Sequence, residues 1–175
     1  MSHEVVVTTV FKTLKALTSA FEKLGFEFYK DRTVYQCWKK DHGSLVGDYP
    51  LPEGMTEDTV GTCQHAFGLP GTDCKSHADN YQVGVYWDTE NNAWRLRFDF
   101  YHPSKKYNPA ATTIGTRIEK VDGKNVVYTD ALNQEYQHQL SLLQSKNNGD
   151  QLLEENYLVD GARELVFDCT ERMGF

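Results

Sequence analysis

Residues 81–101 read YQVGVYWDTENNAWRLRFDFY, and this segment indicates the central element of the fold. Both of its halves alternate apolar and polar side chains with a period of two, which is typical of β-strands with one buried face. The predicted inward-facing set is Tyr81, Val83, Val85 and Trp87, followed by Trp94, Leu96, Phe98 and Phe100. The segment between them, 88–92, is polar and turn-prone, so the sequence predicts an antiparallel hairpin.

Two helices are predicted, one on each side of this hairpin. The first is indicated by apolar residues three and four positions apart, with Gly25 directly after the last of them; they are Phe11, Leu14, Leu17, Phe21 and Leu24. The second is predicted over residues 130–145, with Thr129 as its N-cap and Asn148-Gly149 after its end.

The remaining strands are short. They are predicted near 5–10, 26–28, 34–38, 62–67 and 126–128, with two more at the end of the chain, joined at Asp160-Gly161. The order is then β-α-β-β…β-β-α-β-β. This order predicts an α+β fold, in which two helices pack on one face of an antiparallel sheet.

The chain length of 175 residues fits a single domain, 1–175. Two stretches lack clear periodicity, a Gly- and Pro-rich one near 41–80 and another near 103–128. Both are predicted to be long loop insertions, and long loops in small domains are often functional.

Composition narrows the function classes. The net charge of −7 and the sequence pI near 5.3 argue against general nucleic-acid binding, which depends on clustered Lys and Arg. No apolar run approaches the ~20 residues that cross a bilayer, and the start, Met1-Ser2-His3-Glu4, lacks the features of a secretory signal. We therefore expect a soluble, cytoplasmic protein without membrane contact, in which the four cysteines are reduced thiols or metal ligands.

The sharpest candidate for chemistry is a cluster of Cys63, His65, Cys74 and His77. Thiolate and imidazole are preferred zinc ligands, and four of them close a tetrahedral site. Cys63 and His65 are two residues apart, so on a strand both would project from the same face. The spacing is not that of a standard zinc finger. The alternative is a core cysteine at position 63 and three residues on a polar loop.

The second candidate is a ligand-binding face on the outer side of the hairpin. Its predicted residues are Gly84, Tyr86, Arg95, Arg97 and Tyr101. A glycine within a strand leaves a gap that a ligand can approach. Two arginines beside tyrosines would hold a small, planar, anionic group by charge and stacking. The alternative is an ordinary solvated face with cross-strand charge pairs.

Catalytic signatures are absent from the sequence. It contains no P-loop, no Gly-x-Ser-x-Gly, no His-Glu-x-x-His and no Gly-x-Gly-x-x-Gly, so no catalytic residue is assigned. A basic loop with Lys105 and Lys106 would be the phosphate-contacting element of a nucleic-acid-associated protein, together with Arg95 and Arg97.

Several local strings resemble an uncharacterised family, typified by hypothetical chloroplast reading frame 35 and catalogued as domain of unknown function 1257. The matching strings are Met1-Ser2-His3, Leu24-Gly25, residues 81–87, Gln134-Glu135-Tyr136, Glu154-Glu155 and Asp160-Gly161. The chain departs from that family by its expanded middle, which contains the Cys/His cluster. The resemblance implies a compact α+β fold and relatives in bacteria, plastids and bacteriophages, and it carries no catalytic residues.

Three functions follow as hypotheses. The first is a non-enzymatic binding or adaptor protein, in one version phage-encoded, that captures a small nucleotide-like ligand or a host protein. The second is a zinc-containing domain or enzyme centred on the Cys/His cluster, and the third is a nucleic-acid-associated protein. Apart from zinc, no cofactor is expected. Exposed edge strands would also allow a homo-oligomer.

Overall fold

The computed structural model describes residues 4–7, 9–37, 56, 58–71, 81–99, 108–157 and 163–168. Nine strands and three helices lie in these ranges. In chain order they are β1 Glu4–Val6, α1 Leu14–Lys23, β2 Glu27–Tyr29, β3 His65–Gly68, β4 Val83–Asp88, β5 Ala93–Asp99, α2 Pro109–Thr113, β6 Thr116–Val121, β7 Lys124–Thr129, α3 Asp130–Asn148, β8 Gln151–Tyr157 and β9 Arg163–Asp168.

The main sheet has five antiparallel strands in the order β1-β5-β4-β3-β2. The predicted hairpin is confirmed as β4 and β5, with Val85 opposite Leu96 and Trp87 opposite Trp94. Its turn is held by Asp88, whose Oδ1 accepts the backbone N–H groups of Glu90 and Asn91 at 3.0 and 3.2 Å. The predicted α+β class with an antiparallel sheet is therefore confirmed.

The core lies between the inward face of this sheet and the helices. Phe21 of α1 stacks on Phe67 of β3 with 3.9 Å between ring centroids. Tyr136 of α3 meets Phe11 edge-on at 4.9 Å. The Tyr136 hydroxyl also accepts the backbone N–H groups of Lys12 and Thr13, directly before α1. One aromatic side chain therefore packs in the core and binds the backbone that leads into α1.

The second predicted helix is α3, and it ends where the sequence predicts. α3 stops at Asn148, and Gly149 follows in the left-handed conformation with φ 81°. Thr129 is its N-cap residue, but the Thr129 side chain makes no capping hydrogen bond. None of the helices in the described part of the chain is long and apolar enough to cross a membrane.

The loop predicted near 103–128 needs correction where it is described. Residues 109–113 form α2, and β6 and β7 form a separate two-stranded sheet joined at Asp122-Gly123. This hairpin shows no apolar alternation in the sequence because it buries little. Ile118 and Val121 are about 40% exposed. Of the loop predicted near 41–80, only residues 56 and 58–71 are described, and they contain β3.

The strand predicted near 34–38 is also corrected. Its described part makes only an isolated antiparallel bridge, between Val34 and Thr62. At the other end of the chain, the predicted closing strands are β8 and β9, which pair with a bulge between Leu152 and Glu154. The predicted turn at Asp160-Gly161 lies outside the described residues.

Candidate functional site

The outer face of the hairpin is covered at Gly84. A Cβ atom on Gly84 would lie 2.3 Å from Cδ1 of Tyr35, which is well inside van der Waals contact. Tyr35 is fully buried. The absent side chain of Gly84 therefore leaves room for a tyrosine ring from the same chain. The prediction that a ligand approaches Gly84 is corrected, since Tyr35 occupies that space.

The two arginines of the predicted ligand face are engaged within the protein. The Arg97 guanidinium lies 3.8 Å from the centroid of the Tyr86 ring, and its Nη1 is 3.5 Å from both the carbonyl oxygen of Thr59 and the hydroxyl of Thr62. Arg95 forms an ion pair with Asp88, with 2.7 Å between Nε and Oδ2. Tyr101, the fifth predicted residue, lies outside the described residues. The arrangement holds the 56–62 segment on the sheet through Arg97.

His65 lies on the inward side of β3, between two aromatic rings. The centroid of its imidazole is 5.4 Å from that of Phe28 and 5.3 Å from that of Trp94. Its Nδ1 accepts the backbone N–H of Asp31 at 3.0 Å. Burial lowers the pKa of His65 below its ordinary value, although the Asp31 carboxylate, 3.7 Å away, acts in the opposite direction. The imidazole is thus a hydrogen-bonded group at the edge of the core.

Cys63 lies on the other side of the sheet from His65. It belongs to a small buried cluster with Tyr35, Cys37 and Ala66, and Ala66 is the strand neighbour of His65. The Cys63 thiol donates to the carbonyl oxygen of Arg32 at 3.0 Å, and burial raises the pKa of this thiol to about 12. Such a thiol is protonated at neutral pH and is engaged within the protein.

The expectation that Cys63 and His65 share a face is therefore wrong. β3 begins only at His65, so the period-two rule does not extend back to Cys63. The other two predicted ligands, Cys74 and His77, lie outside the described residues. Within the ranges that the structure does describe, no three His, Cys, Asp or Glu side chains are placed to hold a metal ion.

A cleft of about 440 Å³ lies beside the buried Tyr35. We call it the Gln82 cleft, and its lining residues are Asp31, Arg32, Thr33, Val34, Tyr35, Gln36 and Gln82. Gln82 binds Gln36 twice. Its backbone N–H donates to the Gln36 carbonyl at 3.0 Å, and its Oε1 accepts the Gln36 N–H at 3.1 Å.

The amide nitrogen of Gln82 is less well satisfied than its oxygen. Gln82 is only 1% exposed, and its Nε2 has no hydrogen-bond partner among the described residues. The orientation of the amide is fixed because the Gln36 N–H needs an acceptor, which only Oε1 supplies. Two N–H donors are therefore left at the wall of the cleft. A buried donor without a partner costs about 1–3 kcal/mol.

The backbone of Val34 adds a second polar feature. On one edge of the 33–36 segment, Tyr35 N–H donates to Gly61 and Thr33 C=O accepts from Cys63, both at 3.0 Å. Backbone groups of an extended chain alternate in direction, so Val34 N–H and C=O point to the opposite edge, as those of Gln36 do. Gln36 pairs with Gln82 there. No partner of Val34 N–H or C=O is found on that edge within the described ranges.

No pattern in the sequence indicates this cleft. The period-two pattern places Gln82 on the outer face with Gly84 and Tyr86, but it does not show which other segment lies there. The cleft forms where residues 31–36 pack beside Gln82, and these residues are distant from it in the sequence.

Comparison with known proteins gave no match, neither to a family model, nor to a curated protein, nor to a solved structure. The resemblance to the uncharacterised family therefore stays a prediction.

Proposed function

We propose that this chain is a non-enzymatic binding protein whose small-molecule ligand occupies the Gln82 cleft. The observation that carries the proposal is the buried amide nitrogen of Gln82, a cleft residue, which has no partner in the part of the chain that the structure describes. Buried polar groups in native proteins nearly always have a partner, and an exception calls for an explanation. A bound ligand that accepts a hydrogen bond at this position supplies one.

The size of the cleft favours a small molecule. Its volume of about 440 Å³ falls within the ~300–1,000 Å³ that is usual for small-molecule sites. The reactive side chains near it are occupied. The Cys63 thiol is protonated and bound to Arg32, and the Nδ1 of His65 is bound to the Asp31 N–H. These contacts support binding over chemistry.

The test uses the amide groups of the cleft as reporters. Protein labelled with ¹⁵N is screened by NMR against a fragment library at millimolar concentration, and the signals of the Gln82 side-chain NH₂ and the Val34 N–H are followed. We expect a subset of fragments to shift both signals and to raise the melting temperature, since a ligand of the native state stabilises it. If no fragment shifts either signal, the proposal fails.

Two variants, compared once both are shown to be folded, separate the cleft from the rest of the protein. Gln82→Glu keeps the acceptor for Gln36 N–H but removes the NH₂ donor. Gln64→Glu is the control, because Gln64 also accepts a backbone N–H through Oε1, from Trp87 at 2.9 Å, and does not line the cleft. Binding that survives Gln82→Glu and is lost in Gln64→Glu would place the ligand elsewhere.

A further inference from the structure

The polar groups at the Gln82 cleft have a defined order along one edge of the 33–36 segment. Val34 N–H comes first, and Val34 C=O follows it. The next group on this edge, Gln36 N–H, is already bound to Oε1 of Gln82. The Gln82 carboxamide therefore takes the next position and carries the free Nε2 donor there. The edge presents a donor, an acceptor and a donor.

We infer that the Gln82 cleft takes a planar ligand with a cyclic imide edge, such as the acceptor–donor–acceptor edge of a uracil- or thymine-type ring. This inference rests on the proposed function and names its ligand class. An imide offers two carbonyl oxygens on either side of one N–H. The carbonyls accept from Val34 N–H and Gln82 Nε2, and the ring N–H donates to Val34 C=O.

Other planar rings match this edge less well. Cytosine has an amino donor where uracil has a carbonyl, so it would place a donor against a donor. A wrong pairing leaves a buried polar group without a partner, and sites built to hydrogen-bond a group reject analogues that lack it. The edge thus distinguishes an imide from an amino-substituted ring of the same size.

An extended peptide fits the cleft poorly. Peptides that add a strand to a sheet edge need a row of free backbone groups. Within the described residues the row is one residue long, because Gln36 is already paired with Gln82. Beyond Val34 a peptide would have no free backbone group to pair with.

A phosphate group is also poorly matched. Asp31 and Arg32, the charged residues of the lining, have opposite signs, so the cleft has no excess of positive charge. Arg32 also lies 4.8 Å from the centroid of the Tyr29 ring. The lining of the cleft therefore suits a neutral ring better than a phosphate group.

The experiment compares four compounds by titration calorimetry and by the NMR signals of Val34 N–H and Gln82 NH₂. They are uridine, 3-methyluridine, cytidine and riboflavin, the last of which carries the same imide edge on a larger ring. We expect uridine or riboflavin to bind at the cleft. We expect 3-methyluridine and cytidine to bind at least ~10-fold more weakly than uridine, which corresponds to about 1.4 kcal/mol. A preference between uridine and riboflavin decides which source of the imide is used.

The outcomes distinguish this inference from the proposed function. If cytidine or 3-methyluridine binds the cleft as tightly as uridine, the imide assignment is overturned and the cleft remains a binding site. The same holds if only other fragments of the library shift the cleft signals. If nothing shifts them, both proposals fail. The comparison of uridine with 3-methyluridine uses the unmodified protein, so it does not depend on whether Gln82→Glu folds.

Discussion

The ring of Tyr35 lies directly on the backbone of Gly84, so close that a methyl group on Gly84 would be 2.3 Å from Cδ1 and 2.6 Å from Cε1 of that ring. This contact places the 31–37 segment against the outer face of the central hairpin. It converts a face that the sequence left open into a second, smaller buried layer with Cys37, Cys63 and Ala66. The Gln82 cleft lies at the border of this layer.

We predict that Gly84→Ala destabilises the protein by about 1–3 kcal/mol, because the added methyl group overpacks the contact with Tyr35. Urea unfolding measures the change. In a Tyr35→Ala background the same substitution has room, and it should be neutral or stabilising, since alanine is favoured over glycine within a strand by about 0.5–1 kcal/mol. If Gly84→Ala destabilises the protein equally in both backgrounds, the contact with Tyr35 is not the cause.

We predict that Arg97 stabilises the folded protein by stacking its planar guanidinium on the Tyr86 ring. Arg97→Lys keeps the charge but loses the stack on Tyr86, so we expect a loss of about 1 kcal/mol in the free energy of unfolding. In a Tyr86→Leu background the loss should shrink. Arg95→Lys is the control on the same strand, because it retains the ion pair with Asp88. A loss of the same size from both lysine variants would argue against stacking.

The pKa of His65, lowered by burial, makes a prediction about acid stability. The unfolded chain takes up a proton at the ordinary pKa of about 6.5, whereas folded His65 does so only at lower pH. The contribution of neutral His65 to the free energy of unfolding is therefore complete above pH ~6.5, and it is lost as the pH falls from there toward the pKa of folded His65. We expect the free energy of unfolding to be lower at pH ~5.5 than at pH ~7.5, by at most ~1.4 kcal/mol per pH unit from this group.

His65→Asn is the variant that isolates this effect. Asparagine offers an acceptor near the position of Nδ1 for the Asp31 N–H, but it does not titrate. The drop in stability between the two pH values should be smaller in the variant than in the unmodified protein. An unchanged drop would show that other groups cause it.

The Cys63 thiol, with its pKa raised to about 12, is predicted to resist alkylation in the native state. The thiolate is the reactive form, so native Cys63 should react with iodoacetamide at pH ~8 at least ~100-fold more slowly than in urea. Peptide mapping by mass spectrometry assigns the label to this residue. If native Cys63 is labelled as fast as in urea, its thiol is not buried with a raised pKa.

Zinc content tests the alternative of a metal site that includes Cys63. A structural site requires about one equivalent of zinc in protein prepared without chelators. Because Cys63 and His65 lie on opposite sides of the sheet, and the Cys63 thiol donates to the Arg32 carbonyl oxygen, we expect less than about a tenth of an equivalent at this residue. Stoichiometric zinc that is lost in Cys63→Ser would overturn the assignment of Cys63 to the buried cluster.

We predict that the ion pair between Arg163 of β9 and Glu135 of α3 stabilises the closing hairpin of β8 and β9. Arg163 Nη2 lies 2.7 Å from Oε2 of Glu135, whose side chain is only 5% exposed. Arg163→Met leaves this carboxylate buried without its cation. We expect a loss of ~2–3 kcal/mol, less than the ~3–5 typical of fully buried pairs because Arg163 itself is a quarter exposed. Hydrogen exchange should become faster first in residues 151–168.

Adding Glu135→Gln to Arg163→Met gives the control, because the neutral amide removes the unpaired charge. Part of the lost stability should return in the double variant. If the double variant is less stable than Arg163→Met, the pair does not hold the hairpin through charge.

The elements that the sequence predicted well are those whose signal is local. In the hairpin, alternation alone places Val85 and Leu96 inward, and in α3 the stop at Gly149 follows from its tolerance of positive φ. By contrast, α2 depends on Asn108, which caps it by accepting the N–H of Ala111 and donates to the carbonyl of Asp99 at 2.6 Å. A helix of five residues, whose cap is held by a contact with β5, is too short to show a helical period in the sequence.

Local patterns are therefore enough to predict the antiparallel hairpin, the two long helices and the α+β class, because burial of one face imposes a period on the residues that form it. The candidate site depends instead on how distant segments pack. That packing separated Cys63 from His65, filled the space at Gly84 with Tyr35, and left Gln82 Nε2 without a partner among the described residues, in the cleft that Val34 also lines. These features arise from contacts between distant segments, and such contacts are set by packing and hydrogen bonding that no local pattern encodes.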